Sequence, residues 1–155
     1  MTAKLHSEFA NADDSPGFML WRVSNTWQAA QRVALAPFDL THVQFVLLAT
    51  LTWLRSGAPI SQRELANQAH TDPMMTSQVL RTLEGKGLVR REPHPIDGRS
   101  LALTVTRSGA ALANEAVEAV EAVDRAFFSR LESDLPNFTD CLRRLSTSRK
   151  DLPPL

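Results

Sequence analysis

One stretch of this chain, residues 61–105, leaves little freedom in what it can fold into: SQRELANQAHTDPMMTSQVLRTLEGKGLVRREPHPIDGRSLALTV. It opens with Ser61-Gln62-Arg63-Glu64, a capping box in which the Ser61 hydroxyl accepts from the Glu64 amide and the Glu64 carboxylate accepts from the Ser61 amide. Ile60 and Leu65 stand where a hydrophobic staple closes such a helix start. Asp72-Pro73 begins a second helix, with an N-cap carboxylate and a proline at the one helical position where a missing N–H costs nothing. Gly87 ends that helix in the C-terminal glycine position.

On the second helix Thr76, Val79, Leu80 and Leu83 fall at i, i+3, i+4 and i+7, so they share the buried face. Met74, Ser77, Gln78 and Arg81 share the opposite, exposed face. Residues 88–92 and 100–105 then read as two strands paired in a hairpin, the second turning Leu101, Leu103 and Val105 inward. The connection over residues 93–99 is Pro-rich, and Asp97-Gly98 supplies its sharp bend. Arg99 therefore sits near the hairpin tip, with Asp97 placed to hold its guanidinium. Two helices, a short turn and a hairpin outline a winged helix-turn-helix.

An exposed face carrying a hydroxyl, an amide and a guanidinium suits major-groove reading, because amides pair with adenine edges and guanidinium with guanine. A solvated surface helix presents the same polarity, so the face by itself leaves both readings open. Arg99 likewise reads either as a solvated turn residue or as a cation for the minor groove, where narrow A·T tracts concentrate negative potential.

The segments on either side are helical. Residues 1–14 have no sustained period and read as a mobile arm. Ser15-Pro16 starts a helix over which Leu20, Trp21, Val23, Trp27, Ala30 and Ala34 keep helical spacing. Its tryptophans suit either core and dimer packing or the wall of a pocket for a planar molecule. Thr41 and Gln44 form another capping box, with Leu40 and Phe45 as its staple. The helix they open is apolar on most sides and therefore central, ending at Ser56-Gly57-Ala58-Pro59. His42 lies in its first turn.

After the hairpin, Thr106 caps the longest helical pattern in the chain, extending to Leu131. Its apolar positions include Leu112, Ala116, Ala119, Val123 and Ala126. A stripe of about 25 residues, roughly 38 Å, exceeds what one winged domain covers. The remainder calls for a symmetry-related subunit or an antiparallel helix of the same chain. Residues 134–146 give a last short helix, in which Cys141 packs as a small hydrophobe.

Lys plus Arg equals Asp plus Glu, 17 of each, so global charge does not argue for nucleic acid. The distribution says more. Residues 61–107 carry seven cations against five acids, and residues 108–155 carry six against eight, so the middle of the chain is the mildly basic part. The single cysteine excludes an intramolecular disulfide, and no apolar run approaches bilayer length. A cytoplasmic protein is expected.

The motifs together resemble the MarR family of bacterial transcriptional regulators. The resemblance rests on Leu40-Thr41 with Gln44-Phe45, Leu65-Ala66, the run Leu83-Glu84-Gly85-Lys86-Gly87-Leu88-Val89, Asp97-Gly98-Arg99, and Leu103-Thr104-Val105-Thr106 with Gly109. It implies a mainly α fold with a small β-hairpin wing (α+β), in which N- and C-terminal helices dimerise around a winged helix-turn-helix. The corresponding organisation is an arm at 1–14, a helical dimerisation region at 15–36 and 106–148, the DNA-binding domain at 37–105, and an extended end at 149–155.

The resemblance further implies a homodimer bound to a pseudo-palindromic double-stranded operator, with half-sites about one helical turn, roughly 34 Å, apart. By position Ser77, Gln78 and Arg81 read or approach bases. Ser61, Gln62, Pro73 and Met74 lie near the backbone or groove edge, Arg99 enters the minor groove, and Arg90 and Arg91 meet phosphate. Many members carry a basic residue at the position of Gln78, so an adenine preference replaces a phosphate contact here. The family often binds aromatic acids beside the dimer helices, where Trp21, Trp27, His42 and Phe45 are the local candidates. No cofactor, metal cluster or catalytic constellation can be assembled, since the four histidines are dispersed. The expected function is a dimeric repressor released by a small aromatic ligand; the competing reading is a helical scaffold whose winged domain binds protein.

Overall fold

A computed structural model describes residues 5–54 and 59–146. Among these residues the chain runs through α1 (Pro16–Leu35), α2 (His42–Trp53), β1 (Ile60–Ser61), α3 (Gln62–Ala69), α4 (Pro73–Gly85), β2 (Val89–Pro93), β3 (Leu101–Val105), α5 (Arg107–Phe128) and α6 (Leu135–Leu145). Short 3-10 segments lie at Ala12–Asp14, Ala36–Phe38 and Ser129–Asp134. The mainly helical fold with a small wing is the one expected. The residues expected to end α2 after Leu54, and the extended C-terminal end, lie mostly outside the described residues.

The core is organised around α2. Phe45, Leu47, Leu48, Ala49 and Leu51 are all buried, because the helix packs against α1, α3, α4, α5 and the sheet. Leu65 of α3, Leu80 and Leu83 of α4, Val89 of β2 and Leu103 of β3 meet it from the winged side. Ala113, Ala116 and Val120 of α5 meet it from the other. Small residues on α5 let two long helices approach closely.

The capping signals form as read. Thr41 and Gln44 bond reciprocally at the start of α2, as do Ser61 and Glu64 at the start of α3. Asp72 accepts from the Met74 and Met75 amides at 2.9 and 3.0 Å. Gly87, at φ 72°, closes α4 in a Schellman arrangement: its N–H donates to the Glu84 carbonyl and the Leu88 N–H to the Leu83 carbonyl.

Four details differ from expectation. The hairpin gains a third, two-residue strand: β1 pairs antiparallel with β3 (Ile60↔Leu103, Ser61↔Ala102), giving the order β1-β3-β2. Leu101 is exposed at the tip end of β3, whereas Ala102 and Leu103 are both buried. As the central strand, β3 is covered on both faces near its middle, so alternation fails there. The long helix stops at Phe128, where the 3-10 segment with Glu132 at φ 46° redirects the chain into α6. Cys141 is exposed rather than packed, since α6 buries no residue and its main neighbour is the preceding turn. Among the described residues no single helix is long and apolar enough to cross a membrane.

Candidate functional site

Between α3 and α4 the chain turns in three residues. His70 adopts a left-handed conformation, φ 52°, that ends α3, and Asp72 caps α4. Thr76 fixes the turn from inside: fully buried, its hydroxyl donates to the Asp72 carbonyl and shares a 2.7 Å hydrogen bond with Thr71. Packing of Leu80 and Leu83 against the core then sets the rotation of α4. Met74, Gln78 and Arg81 are left exposed and Ser77 half-buried, Met74 at 83 %.

Of the flanking positions, Pro73 is exposed and Gln62 is half-buried. Ser61 spends its hydroxyl on the Glu64 amide. The Ser61 amide and hydroxyl in turn hold the Glu64 carboxyl below its ordinary pKa.

The wing tip is built from its own polar groups. Asp97 accepts from the Arg99 amide at 3.1 Å and from the Ser100 hydroxyl, and the His94 Nδ1 accepts from the Ile96 and Asp97 amides. Asp97 therefore orders the Arg99 backbone rather than clamping its guanidinium. That guanidinium has no ion-pair partner among the described residues. Of the two strand arginines, Arg90 is exposed. Arg91 is paired with Glu84 of α4 through contacts of 2.8 Å, its side chain only 16 % exposed. It braces α4 against β2, and a phosphate contact would have to displace that pair.

The start of α5 grips the junction between α4 and β2. The Thr106 hydroxyl donates to the Gly87 carbonyl at 2.8 Å, the Thr106 amide to the Leu88 carbonyl at 3.0 Å, and the Ser108 hydroxyl also reaches Gly87. Gly109 makes this approach possible, because a Cβ there would lie 2.0 Å from the Leu88 carbonyl oxygen. The long helix and the end of α4 are thus joined without slack.

The proposed ligand-lining residues do not form one group. Trp21 is 67 % exposed and Phe45 is in the core. Trp27 and His42 do meet, ring centroids 5.0 Å apart at 73°. Two further residues join them: the Trp27 Nε1 donates to the Asp124 Oδ1 at 2.8 Å, and the Gln31 Nε2 donates to the same oxygen at 2.8 Å. Burial pushes the His42 imidazole below its ordinary pKa, against the opposing pull of the Asp124 carboxylate. Sequence reading passed over Gln31 and Asp124. The available signal was a polar residue on an apolar stripe: Gln31 lies between Trp27 and Leu35 at i+4 steps, and Asp124 follows Ala116 and Val120 in the same way.

Comparison with known proteins places this architecture. The MarR family model matches residues 40–101. The HTH-type transcriptional regulator YdcH of Bacillus subtilis is 43 % identical over 125 residues, which is 80 % of this chain and 85 % of that protein. The HTH-type transcriptional repressor Rv2887 of Mycobacterium tuberculosis is 39 % identical over 121 residues, 77 % of this chain and 85 % of that protein. Among solved structures, CouR from Rhodococcus jostii bound to p-coumaroyl-CoA superposes with a TM-score of 0.77 at 25 % identity, covering 88 % of this chain and 95 % of CouR. With a helix-turn-helix, a wing and an anchoring long helix in place, and relatives of this identity spanning most of its length, the chain belongs to the MarR family of DNA-binding transcriptional regulators.

Proposed function

We propose that the protein acts as a homodimeric repressor in which each protomer presents α4 to one half of a pseudo-palindromic operator. The observation that carries this reading is the division of the surface. The exposed face of α4 offers Gln78 and Arg81 beside the apolar Met74, and the wing offers Arg99, which has no ion pair among the described residues, whereas the exposed groups of α1 and α6 include the apolar Phe18, Leu20, Trp21, Leu142 and Leu145. The polar face suits base edges, and the apolar helices suit a second copy of the chain. In this organisation residues 15–36 and 106–148 dimerise, residues 37–105 bind DNA, and residues 1–14 form an arm.

In the operator complex Ser77, Gln78 and Arg81 address bases, with Gln78 favouring adenine. Met74, Pro73, Gln62 and Ser61 border the groove, Arg90 meets phosphate and Arg99 enters the minor groove. Release follows from the grip of α5 on the α4–β2 junction. A small ligand lodged where α1, α2 and α5 meet shifts α5, and α4 moves with it to a spacing that no longer matches the operator.

The test starts from a duplex enriched out of a random library by the purified protein. Arg99→Ala then weakens binding without changing the size of the protein in solution, and Gln78→Ala relaxes base preference at one position per half-site. If the protein enriches no duplex, the repressor reading fails and a protein-binding scaffold takes its place.

A further inference from the structure

We infer that His94 is a positioning residue of the wing: its neutral imidazole holds the tip that carries Arg99, and proton uptake by the ring releases that tip and weakens operator binding. This rests on the reading that Arg99 enters the minor groove, and it adds the condition under which the wing is shaped to do so.

The tip is a closed loop of hydrogen bonds. The His94 Nδ1 accepts from the Ile96 amide at 3.2 Å and from the Asp97 amide at 3.3 Å. Neither amide has another acceptor among the described residues. The His94 amide donates to the Ser100 carbonyl at 2.9 Å, and the Ser100 amide donates to the Asp97 carbonyl at 3.0 Å. Asp97, fixed in this way, accepts from the Arg99 amide and the Ser100 hydroxyl on its carboxylate. Pro93 and Pro95 flank the histidine and bring no N–H of their own. The imidazole is thus the first link in the series that sets the Arg99 backbone.

A side chain that accepts from amides two and three residues onward is ordinarily Asp, Asn, Ser or Thr. Histidine does the same with a ring nitrogen, and it differs in one respect. Nδ1 can accept only while it carries a lone pair, which fixes the Nε2–H tautomer of the neutral ring. A second proton turns Nδ1 into a donor aimed at two donors, so both hydrogen bonds are lost together. Imidazole is the side chain that takes up this proton between about pH 5 and 8, and His94 is half-buried, within reach of solvent.

The surrounding charges give the protonated ring a counterpart. Hydrogen bonds from Ser61 hold the Glu64 carboxyl of α3 below its ordinary range, and the charge of His94 acts on it in the same direction. The hairpin itself contributes Glu92, Asp97 and Arg99, all exposed. A carboxylate on α3 therefore favours the charged ring while the two amides require the neutral one, and the tip has two states. The sign of the effect is diagnostic. A histidine that only adds positive charge beside DNA strengthens binding as pH falls, whereas a tip that opens weakens it.

The experiment compares the full-length protein with His94→Asn and His94→Ala between about pH 7.5 and 5.5. The Asn Oδ1 takes the place of Nδ1 as an acceptor and does not titrate. His6, His42 and His70 remain in every variant, so a difference between them belongs to His94. Tip order is read from the Ile96, Asp97 and Arg99 amide signals in a 1H–15N correlation spectrum, and affinity from gel shifts with the enriched duplex. As pH falls, the tip signals of the natural chain are expected to move together and operator affinity to drop about tenfold. His94→Asn should hold both nearly constant, and His94→Ala should show the released tip and the weaker binding already at the upper pH. Tip signals that ignore pH in the natural chain, or a pH response that persists in His94→Asn, overturn the proposal. Arg99→Ala separates it from the reading beneath it. If that variant weakens binding while acid release of the tip does not, the proposal alone fails; if that variant binds as the natural chain does, the minor-groove reading fails.

Discussion

A methyl group at position 109 would stand 2.0 Å from a backbone oxygen, so one glycine decides whether α5 can close on the α4–β2 junction. Flexible side chains cannot relieve the clash, since the obstacle is the Leu88 carbonyl. Gly109→Ala is expected to lower unfolding free energy by at least about 1–3 kcal/mol in urea denaturation, with α5 displaced where it grips Gly87. His42 sets a pH dependence at the same scale. Its folded pKa lies below its ordinary value near 6.5, so the unfolded chain takes up the proton first as pH falls. The stability linked to this group is whole above that value and declines as pH drops toward the depressed folded pKa, with Asp124 the charged group opposing the shift. Thermal melts between pH 7.5 and 5.5 should show this slope, and it should flatten in His42→Asn. Among the described residues Arg99 has no ion pair to lose, so Arg99→Ala should leave stability nearly unchanged while lowering the slope of log affinity against log salt by about one.

At the scale of elements, local chemistry was legible and long-range chemistry was not. The boxes at Thr41 and Ser61, the Asp72 cap and the Gly87 stop each involve groups within a few residues, and each forms as read. The third strand was invisible because two residues, Ile60 and Ser61, are too few to show alternation. Arg91 reads as a free cation until α4 brings Glu84 beside it. Gln31 and Asp124 are 93 positions apart, and only the helix packing that joins α1 to α5 makes them partners. Helix α6 buries no residue, and among the described residues nothing covers Leu142 and Leu145 on its apolar side. A chain ended after Asp134 should therefore keep its helical winged domain by circular dichroism and sediment as a monomer. A dimer retained by that shortened chain would move the interface to α1 and α5 alone.

For the whole molecule, zero formal charge means that attraction to phosphate depends on where the cations lie, not on their total. In the proposed dimer a few groups are placed in register twice. On the proposed reading the chain divides this work: residues around α4 and the wing supply chemistry, and the long helices supply distance. The contacts of Thr106, Ser108 and Gly109 with Gly87 and Leu88 join the two parts, and in the proposed mechanism they would pass a change at the helices on to α4. The proposed dimeric reader is tested most simply by the geometry of the sequences that the protein enriches from a random duplex library, read together with the mass of the complex. Inverted half-sites with centres about 34 Å apart, occupied by two copies of the chain, are expected. A single half-site bound by one copy, or half-sites at no fixed separation, would contradict it.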